Sequence, residues 1–335
     1  MSTGEPGVRW SYAINQWDPN IDDFVRDEDH ERALKTISIC GFSGVELTAA
    51  NFMGWEPWGN PNAIVDRYGS LRELRSRLER CGIEAVSSWV LDVSRGFEKQ
   101  IEAPGVDPLD PSARDRVVDV SAWFAEALHA LGGSALVVKP VGSAWRTGPL
   151  ADETIGVLSQ TWNAAGAAVR EHGVRLALHL DLLSALRIGD GLERLLDATD
   201  PELVGVALDT AEFAISGIDP VTFYREHANR VWHVQLKGAR DTVPEAEALT
   251  RGADQHVRTA GGEREVARWF WEPSDAPGLV DFESLARELA AREYQGWVVV
   301  ETDGSPHPPK SAMLSGWYVQ RVLRPLLDGV ESRLS

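Results

Sequence analysis

The sequence predicts an α/β fold, a single (β/α)8 barrel, and three observations carry that prediction. Eight short apolar runs, rich in β-branched residues, alternate with helical segments along the chain. Such runs are typical of buried parallel strands, and eight of them are what a closed barrel requires. Residues 1–335 also show no linker, shift in composition or internal repeat that would mark a second domain.

The strands are predicted, in order, at residues 8–17, 43–49, 83–91, 135–143, 175–181, 204–210, 231–237 and 297–303. Helices are predicted at 29–40, 70–81, 111–131, 152–172, 191–198, 220–228, 280–294 and 311–327. Ser70 is a typical N-cap, and Pro220 after Asp219 is typical of a first helical turn. Residues 238–280, after strand seven, form a long insertion of the kind that serves as a lid, a binding loop or a partner contact.

Composition excludes several classes of partner. The net charge of −18 argues against nucleic acid and anionic membranes, because both would repel the chain. The two cysteines, Cys40 and Cys81, imply no disulfide framework. The N-terminal residues contain no apolar signal core, and no apolar stretch is long enough to span a membrane. We therefore expect a soluble, cytoplasmic protein.

The chain contains 13 tryptophans, which is an unusually large number. Many lie in loops or just after predicted strands: Trp17, Trp55, Trp58, Trp89, Trp145, Trp269 and Trp271. Core packing and an apolar or sugar-stacking pocket at the barrel mouth explain this placement equally well. We take Trp17 and Trp89 as candidate substrate-binding residues.

Four strands in the second half of the chain end in side chains that bind metals or move protons. The runs RLALHLD, VGVALDT, VWHVQLK and WVVVETD place His179, Asp209, Gln235 and Glu301 at these ends. Because the carboxyl ends of parallel barrel strands meet at one mouth, we expect these side chains to converge. The mixed imidazole and oxygen set suits Mn²⁺, Mg²⁺, Co²⁺ or Zn²⁺, and the lack of cysteine excludes a thiolate site.

Each of these residues also has a purely structural interpretation. Asp209 can cap the next segment, and Glu301 can belong to a simple salt bridge. His179 can be a hydrogen-bonded core residue, and Gln235 alone would be unremarkable. The coincidence on four strands favours the metal site.

Three further side chains are candidates for the base that removes a proton beside a substrate carbonyl. Residues two apart share a face of a strand, so Asp181 and His233 point the same way as the neighbouring candidate ligands. Lys139 lies near the end of strand four, where it can act as the base or pair with an inward carboxylate such as Glu46. Glu46 is itself a candidate substrate-binding residue.

Five segments in the second half carry a resemblance to a known family. HLDLLSALR, LDTAEF, HVQLKGAR, PSDAPGLVDF and GWVVVETD, in this order and spacing, resemble the sugar isomerase/epimerase-like TIM barrels related to xylose isomerase. The C-terminal half is most similar to inosose dehydratase, and also to the α subunit of bacterial C-glycoside deglycosidases, which act on 3-oxo-glycosides. The resemblance implies a TIM barrel with one divalent metal, most often Mn²⁺, held by ligands from strands five to eight.

The implied ligand positions fall on residues already singled out, with two departures. Asp209 and Glu301 match the Asp and Glu of the family, whereas His179 stands in place of a Glu and Gln235 in place of a His. Arg240 matches an Arg that follows the strand-seven motif. Losing the strand-five Glu makes two-base epimerisation less expected, and a neutral Gln leaves the metal more positive.

The resemblance therefore implies a divalent-metal-dependent lyase on a 3-keto sugar or glycoside, which abstracts an α-proton and eliminates a β-substituent through an enolate. A C-glycoside deglycosidase would also have a small β subunit as its partner, and we expect an oligomer. Inosose dehydratase, or a ketose isomerase or epimerase, is the enzyme alternative, and a sugar-binding or regulatory subunit is the non-enzyme alternative. An endonuclease related to this fold is disfavoured by the charge and by too few histidine ligands.

Overall fold

The computed structural model describes residues 7–17, 27–49, 58–94, 105–253, 270–274, 278–305 and 307–329. Within these residues, eight parallel strands close into a barrel in sequence order, and the last strand pairs with the first. They are β1 (Val8–Ala13), β2 (Gly44–Thr48), β3 (Ala85–Leu91), β4 (Ala135–Val138), β5 (Arg175–His179), β6 (Val204–Asp209), β7 (Val231–Leu236) and β8 (Gly296–Val300). The predicted (β/α)8 barrel is confirmed.

Helices surround the barrel. They are α1 (Asp27–Ile39), α2 (Pro61–Tyr68), α3 (Leu71–Arg80), α4 (Arg114–Ala130), α5 (Ala144–Thr147), α6 (Asp152–Glu171), α7 (Gly191–Ala198), α8 (Thr210–Ile215), α9 (Pro220–His227), α10 (Glu245–Ala248), α11 (Phe282–Ala291), α12 (Pro308–Tyr318) and α13 (Arg324–Leu327). The sequence pattern misses α5, α8 and α10, because they are too short for a helical period to show. It also misses α2, which begins in a stretch rich in Trp, Pro, Gly and Asn. In the part of the chain that the structure describes, no helix is both long and apolar enough to cross a membrane.

Side-chain caps fix where several helices begin. Ser70 Oγ accepts a hydrogen bond from the Glu73 N–H at 3.1 Å, so α3 starts where the sequence predicts. Asp219 accepts from the Val221 N–H at 3.1 Å, and Pro220 supplies the first residue of α9. These caps set the residues at which α3 and α9 begin.

The start of the long insertion after β7 pairs with a later part of the same insertion. Gly238 and Trp271 form an antiparallel bridge, with both N–H···O distances at 2.8 Å. A Cβ at Gly238 would lie 2.7 Å from the Trp271 carbonyl oxygen, so the close approach requires glycine. Residues 254–269 and 275–277 of the insertion, with His256 and Trp269, lie outside the described residues.

The barrel interior contains a polar hydrogen-bond network. Ser11 Oγ and Ser87 Oγ lie 2.7 Å apart, and Ser87 Oγ lies 3.0 Å from Ser88 Oγ. Ser88 in turn donates to Glu46 Oε2 at 2.7 Å. Interiors of such barrels are typically filled by branched apolar side chains. Buried polar groups are stable in a protein interior when they are hydrogen-bonded, and the groups of this network are hydrogen-bonded to one another.

Candidate active site

The mouth of the barrel holds a lysine surrounded by three carboxylates. Lys237, directly after β7, places its Nζ 3.0 Å from Asp209 Oδ2 and 2.9 Å from Glu301 Oε2. The same Nζ donates a hydrogen bond of 2.9 Å to Asp303 Oδ2. We call these four residues the Lys237 centre. The predicted convergence of Asp209 and Glu301 is present, and an ammonium group joins them.

The ends of β6 and β8 position the carboxylates of the Lys237 centre. Asp209 Oδ1 accepts from the N–H groups of Ala211 and Glu212 at 3.1 Å each, so Asp209 caps α8 while its Oδ2 faces Lys237. Asn15, after β1, donates to Glu301 Oε1 at 2.8 Å and to Asp303 Oδ1 at 3.2 Å. Asp209 therefore both caps α8 and belongs to the Lys237 centre.

Burial and charge together set the protonation of the Lys237 centre. Burial alone would lower the pKa of Lys237, but the surrounding carboxylates outweigh it and raise the pKa well above its ordinary value. Burial would raise the pKa of Asp209, yet Lys237 and His179 lower it to about 2. Burial and the Asp303 carboxylate raise the pKa of Glu301 well above its ordinary value. Glu301 is thus the carboxylate of the centre that holds a proton most readily.

A second group lies deeper in the barrel, around Glu46. Its Oε1 accepts from Gln235 Nε2 at 2.7 Å, and its Oε2 accepts from Ser88 Oγ at 2.7 Å and lies 2.9 Å from His233 Nε2. The side chains of His233 and Glu46 are 1% and 2% exposed. The structure therefore pairs two predicted site residues, His233 and Glu46, but places them in the interior and away from solvent.

Lys139 and Asp181 form an ion pair at the ends of β4 and β5. Lys139 Nζ donates to Asp181 Oδ2 at 2.6 Å, and Asp181 Oδ1 accepts from the Leu183 N–H at 3.0 Å. Their side chains are 27% and 25% exposed, so solvent reaches both. Burial would raise the pKa of Asp181, but Lys139 outweighs it and holds the pKa well below its usual range. Lys139 pairs with Asp181, and the alternative pairing with Glu46 is not what the structure shows.

Three side chains beside the Lys237 centre form a group that could hold a metal ion. His179, Asp209 and Glu212 each offer one ligand atom, and these atoms lie within 4.8 Å of one another. His179 Nε2 lies 3.4 Å from Asp209 Oδ2, and Glu212 Oε2 accepts from the Leu182 N–H at 2.7 Å. Burial, followed by the Asp181 and Asp209 carboxylates, raises the pKa of Glu212 well above its ordinary value.

The predicted four-ligand metal set does not fit the arrangement as it stands. Zinc and similar ions bind carboxylate oxygen at about 2.0–2.2 Å, so an ion between Asp209 and Glu301 would collide with the Lys237 ammonium. Gln235 directs its amide nitrogen to Glu46, and its Oε1 has no hydrogen-bond partner among the described residues. His179 approaches Asp209, as predicted, but Lys237 takes the position of the shared cation.

Trp89, predicted from the sequence to be a substrate-binding residue, does not face the site in the structure. Trp89 is fully buried and packs edge-on against Phe124 of α4, with ring centroids 4.8 Å apart. The pairing of β2 with β3 shifts register at Ser87, and beyond it Ser88 points into the barrel toward Glu46 while Trp89 points out. The interpretation of Trp89 as a substrate-binding residue is therefore corrected to core packing.

Trp17 and Arg240 lie nearer the mouth. Trp17 is buried and packs edge-on against Tyr12 at 5.9 Å. Arg240 stacks over the Trp271 ring, with its guanidinium carbon 3.5 Å from the centroid. The ring of Phe270 lies 4.2 Å from Lys237 Nζ, so the returning end of the insertion covers the Lys237 centre. Trp55 and Trp269 fall outside the described residues.

Sequence reasoning missed Lys237, Asp303 and Glu212. The same-face rule could have found two of them, because Lys237 follows Gln235 by two residues and Asp303 follows Glu301 by two. Glu212 lies one turn beyond Asp209 in the short α8, which the sequence pattern does not reveal.

Comparison with known proteins agrees with this architecture. The family described as xylose isomerase-like TIM barrel matches residues 34–317. The chain is 28% identical over 269 residues to an inosose dehydratase of Geobacillus kaustophilus, covering 76% of this chain and 80% of the relative. It is also 28% identical over 326 residues to an inosose dehydratase of Bacillus velezensis, covering 96% and 98%.

A solved structure shares the fold at low sequence identity. It is a sugar phosphate isomerase/epimerase from Parabacteroides distasonis, with a TM-score of 0.65 and 15% identity over 97% of each chain. The family match spans most of the chain, and the closed barrel agrees with it. The chain therefore belongs to the xylose isomerase-like TIM barrel family.

Proposed function

We propose that the chain is a lyase that removes a β-substituent from a keto-sugar or keto-cyclitol after abstraction of the α-proton. Similarity to inosose dehydratases over most of the chain supports a dehydratase, in which the leaving group is water. The observation that carries the proposal is the ion pair between Lys139 and Asp181, because it joins a base and an acid that solvent can reach.

The pair provides both functions that an elimination needs. When the ketone oxygen takes the Lys139 N–H that now bonds Asp181, the depressed pKa of Asp181 rises and its carboxylate accepts the α-proton. The Lys139 ammonium then donates its hydrogen bond to the ketone oxygen as it becomes an enolate oxygen. The electron pair of the enolate then forms the carbon–carbon double bond and expels the β-hydroxyl. The proton now on Asp181 passes to that hydroxyl, so water leaves and the carboxylate is restored.

Other candidate bases are less suited by position. His233 is buried against Glu46 and lies in the interior. Three carboxylate oxygens lie within 3.0 Å of Lys237 Nζ, so this ammonium is already surrounded by counter-charges. The implied Mn²⁺, Mg²⁺, Co²⁺ or Zn²⁺ supplies no step of this proposal, because Lys237 lies where the predicted ligands would meet.

Two alternatives concern the leaving group and the reaction type. An aromatic leaving group, as in a C-glycoside deglycosidase, is favoured by the aromatic rings of Phe270, which contacts Lys237, and Trp271, which contacts Arg240. An epimerase on the same scaffold would need a second base on the opposite face of the substrate, whereas a ketose isomerase would return the proton to the neighbouring carbon.

Assay of the purified chain against inosose, 3-oxo-glucosides and simple ketoses distinguishes these reactions. A lyase generates an unsaturated ketone that absorbs in the ultraviolet, whereas an isomerase or epimerase does not. We expect ultraviolet absorbance to rise with inosose, and to fall to background in the Asp181→Asn variant. Asp190→Asn, at a carboxylate 74% exposed, is the matched control and should keep full activity. Conversion of a ketose without absorbance would overturn the lyase proposal.

A further inference from the structure

The Lys237 centre is a closed ion cluster. An ammonium group has three N–H donors, and three carboxylate oxygens lie at 2.9–3.0 Å from Nζ. The side chains of Lys237 and Asp209 are 3% and 0% exposed. An unpaired charge at such depth is costly, so the carboxylates require a cation and Lys237 requires the carboxylates.

The position of the ammonium coincides with the position that a shared metal ion would take. Asp209 and Glu301 come from β6 and β8, and Lys237 Nζ is in ion-pair contact with both. The positive charge of Lys237 therefore already neutralises part of the negative charge that would otherwise attract a divalent ion.

Phe270 adds a separate observation. Its ring lies 4.2 Å from Lys237 Nζ, a cation–π distance. An aromatic face stabilises an ammonium group, whereas a catalytic metal keeps an open coordination position for water or substrate. The Phe270 ring is therefore a favourable neighbour for an ammonium group that stays in the site.

From these contacts we infer that the Lys237 ammonium replaces a divalent metal as the resident cation of this site. The full-length chain then takes up no divalent ion there, and its reaction needs none. The inference concerns the Lys237 centre and not the Lys139–Asp181 pair, and it rests on the proposed function only where activity is the readout.

Titration with Mn²⁺ tests the inference without any substrate. Isothermal calorimetry on the metal-free, full-length chain should show no binding below about 1 mM Mn²⁺, and its melting temperature should be the same in Mn²⁺ and in EDTA. The Lys237→Met variant leaves Asp209, Asp303 and Glu301 without their cation, so we expect it to bind Mn²⁺ at least about tenfold more tightly. Its melting temperature should also rise when Mn²⁺ is added.

Lys35→Met is the matched control, because Lys35 pairs with Glu31 on the exposed face of α1. It should behave like the unaltered chain in both measurements. Micromolar Mn²⁺ binding by the unaltered chain, abolished in Asp209→Asn, would overturn the inference, even if Lys237→Met failed to fold. The result is separate from the lyase proposal, since an inactive chain that excludes Mn²⁺ would refute only the proposed reaction.

Discussion

The side-chain amide of Gln235 donates a hydrogen bond of 2.7 Å to Glu46 Oε1 across the barrel interior. His233, two residues earlier on β7, lies 2.9 Å from the other oxygen of the same carboxylate. One buried carboxylate therefore gathers two side chains that the sequence assigned to a metal ligand and a catalytic base. Glu46 therefore holds the inward-facing side chains of β7, His233 and Gln235, in place through hydrogen bonds.

The Glu46→Gln variant should lose stability. The new amide NH₂ would face donors that now point at a carboxylate, leaving buried polar groups unsatisfied at a cost of about 1–3 kcal/mol each. Urea unfolding should therefore show a free energy of unfolding lower by about 2–4 kcal/mol. Glu84→Gln, at an exposed position just before β3, makes the same chemical change and should shift stability by less than about 0.5 kcal/mol. Equal effects of the two variants would refute the role given to Glu46.

Lys139 and Asp181 should act as a unit in catalysis. Because the two side chains are 2.6 Å apart, removing either leaves its partner without its counter-charge. We expect Asp181→Asn and Lys139→Met each to lower kcat by about 10²–10⁴-fold. The double variant should lose little more than the worse single variant, as groups that act together are not additive. Fully multiplicative losses, measured on the substrate found in the product assay, would show that the two residues act independently.

Asp281 should stabilise α11 in a pH-dependent way. A hydrogen bond from the Ser284 N–H, 2.9 Å long, lowers the pKa of Asp281 below its ordinary value. A depressed carboxyl pKa contributes stability above the unfolded-state pKa, which is about 3.9, and the contribution is lost as pH falls through the folded-state pKa. Asp281→Ala should lower the free energy of unfolding at neutral pH by about 1 kcal/mol.

The difference between the unaltered chain and Asp281→Ala should shrink as urea titrations move to acid pH. Asp281→Asn keeps an oxygen that accepts from the Ser284 N–H, so its loss at neutral pH should be smaller. A difference that grows on acidification would contradict the assigned cap.

Gly238→Ala should loosen the return of the insertion over the mouth. The added Cβ would lie 2.7 Å from the Trp271 carbonyl oxygen, which is part of the bridge and cannot move like the end of a flexible side chain. We expect a loss of about 1–3 kcal/mol and faster cleavage of the insertion in limited proteolysis. Gly156→Ala, in α6 with open space around its Cβ position, should be neutral or stabilising by about 0.5–1 kcal/mol. Unchanged proteolysis of Gly238→Ala would mean that the bridge does not hold the insertion.

Much of the fold could be predicted because its signals are local. Strand runs such as VGVALD and caps such as Ser70 depend on neighbouring residues, and the count of eight strands leaves few ways to close a sheet. The convergence of Asp209 and Glu301 follows from the same topology, since parallel strands end at one mouth. The six-residue α8 is too short for a helical period to show, and only the possible cap at Asp209 points to it.

The sequence by itself determined the barrel, its order of strands and which strand ends carry chemistry, because hydrophobic period and strand direction are encoded locally. Only the tertiary structure decided the partners: Lys139 with Asp181, His233 with Glu46, and Lys237 among three carboxylates. Pairing across the barrel depends on strand register, side-chain rotamer and the burial of charge, which residues distant in sequence set together.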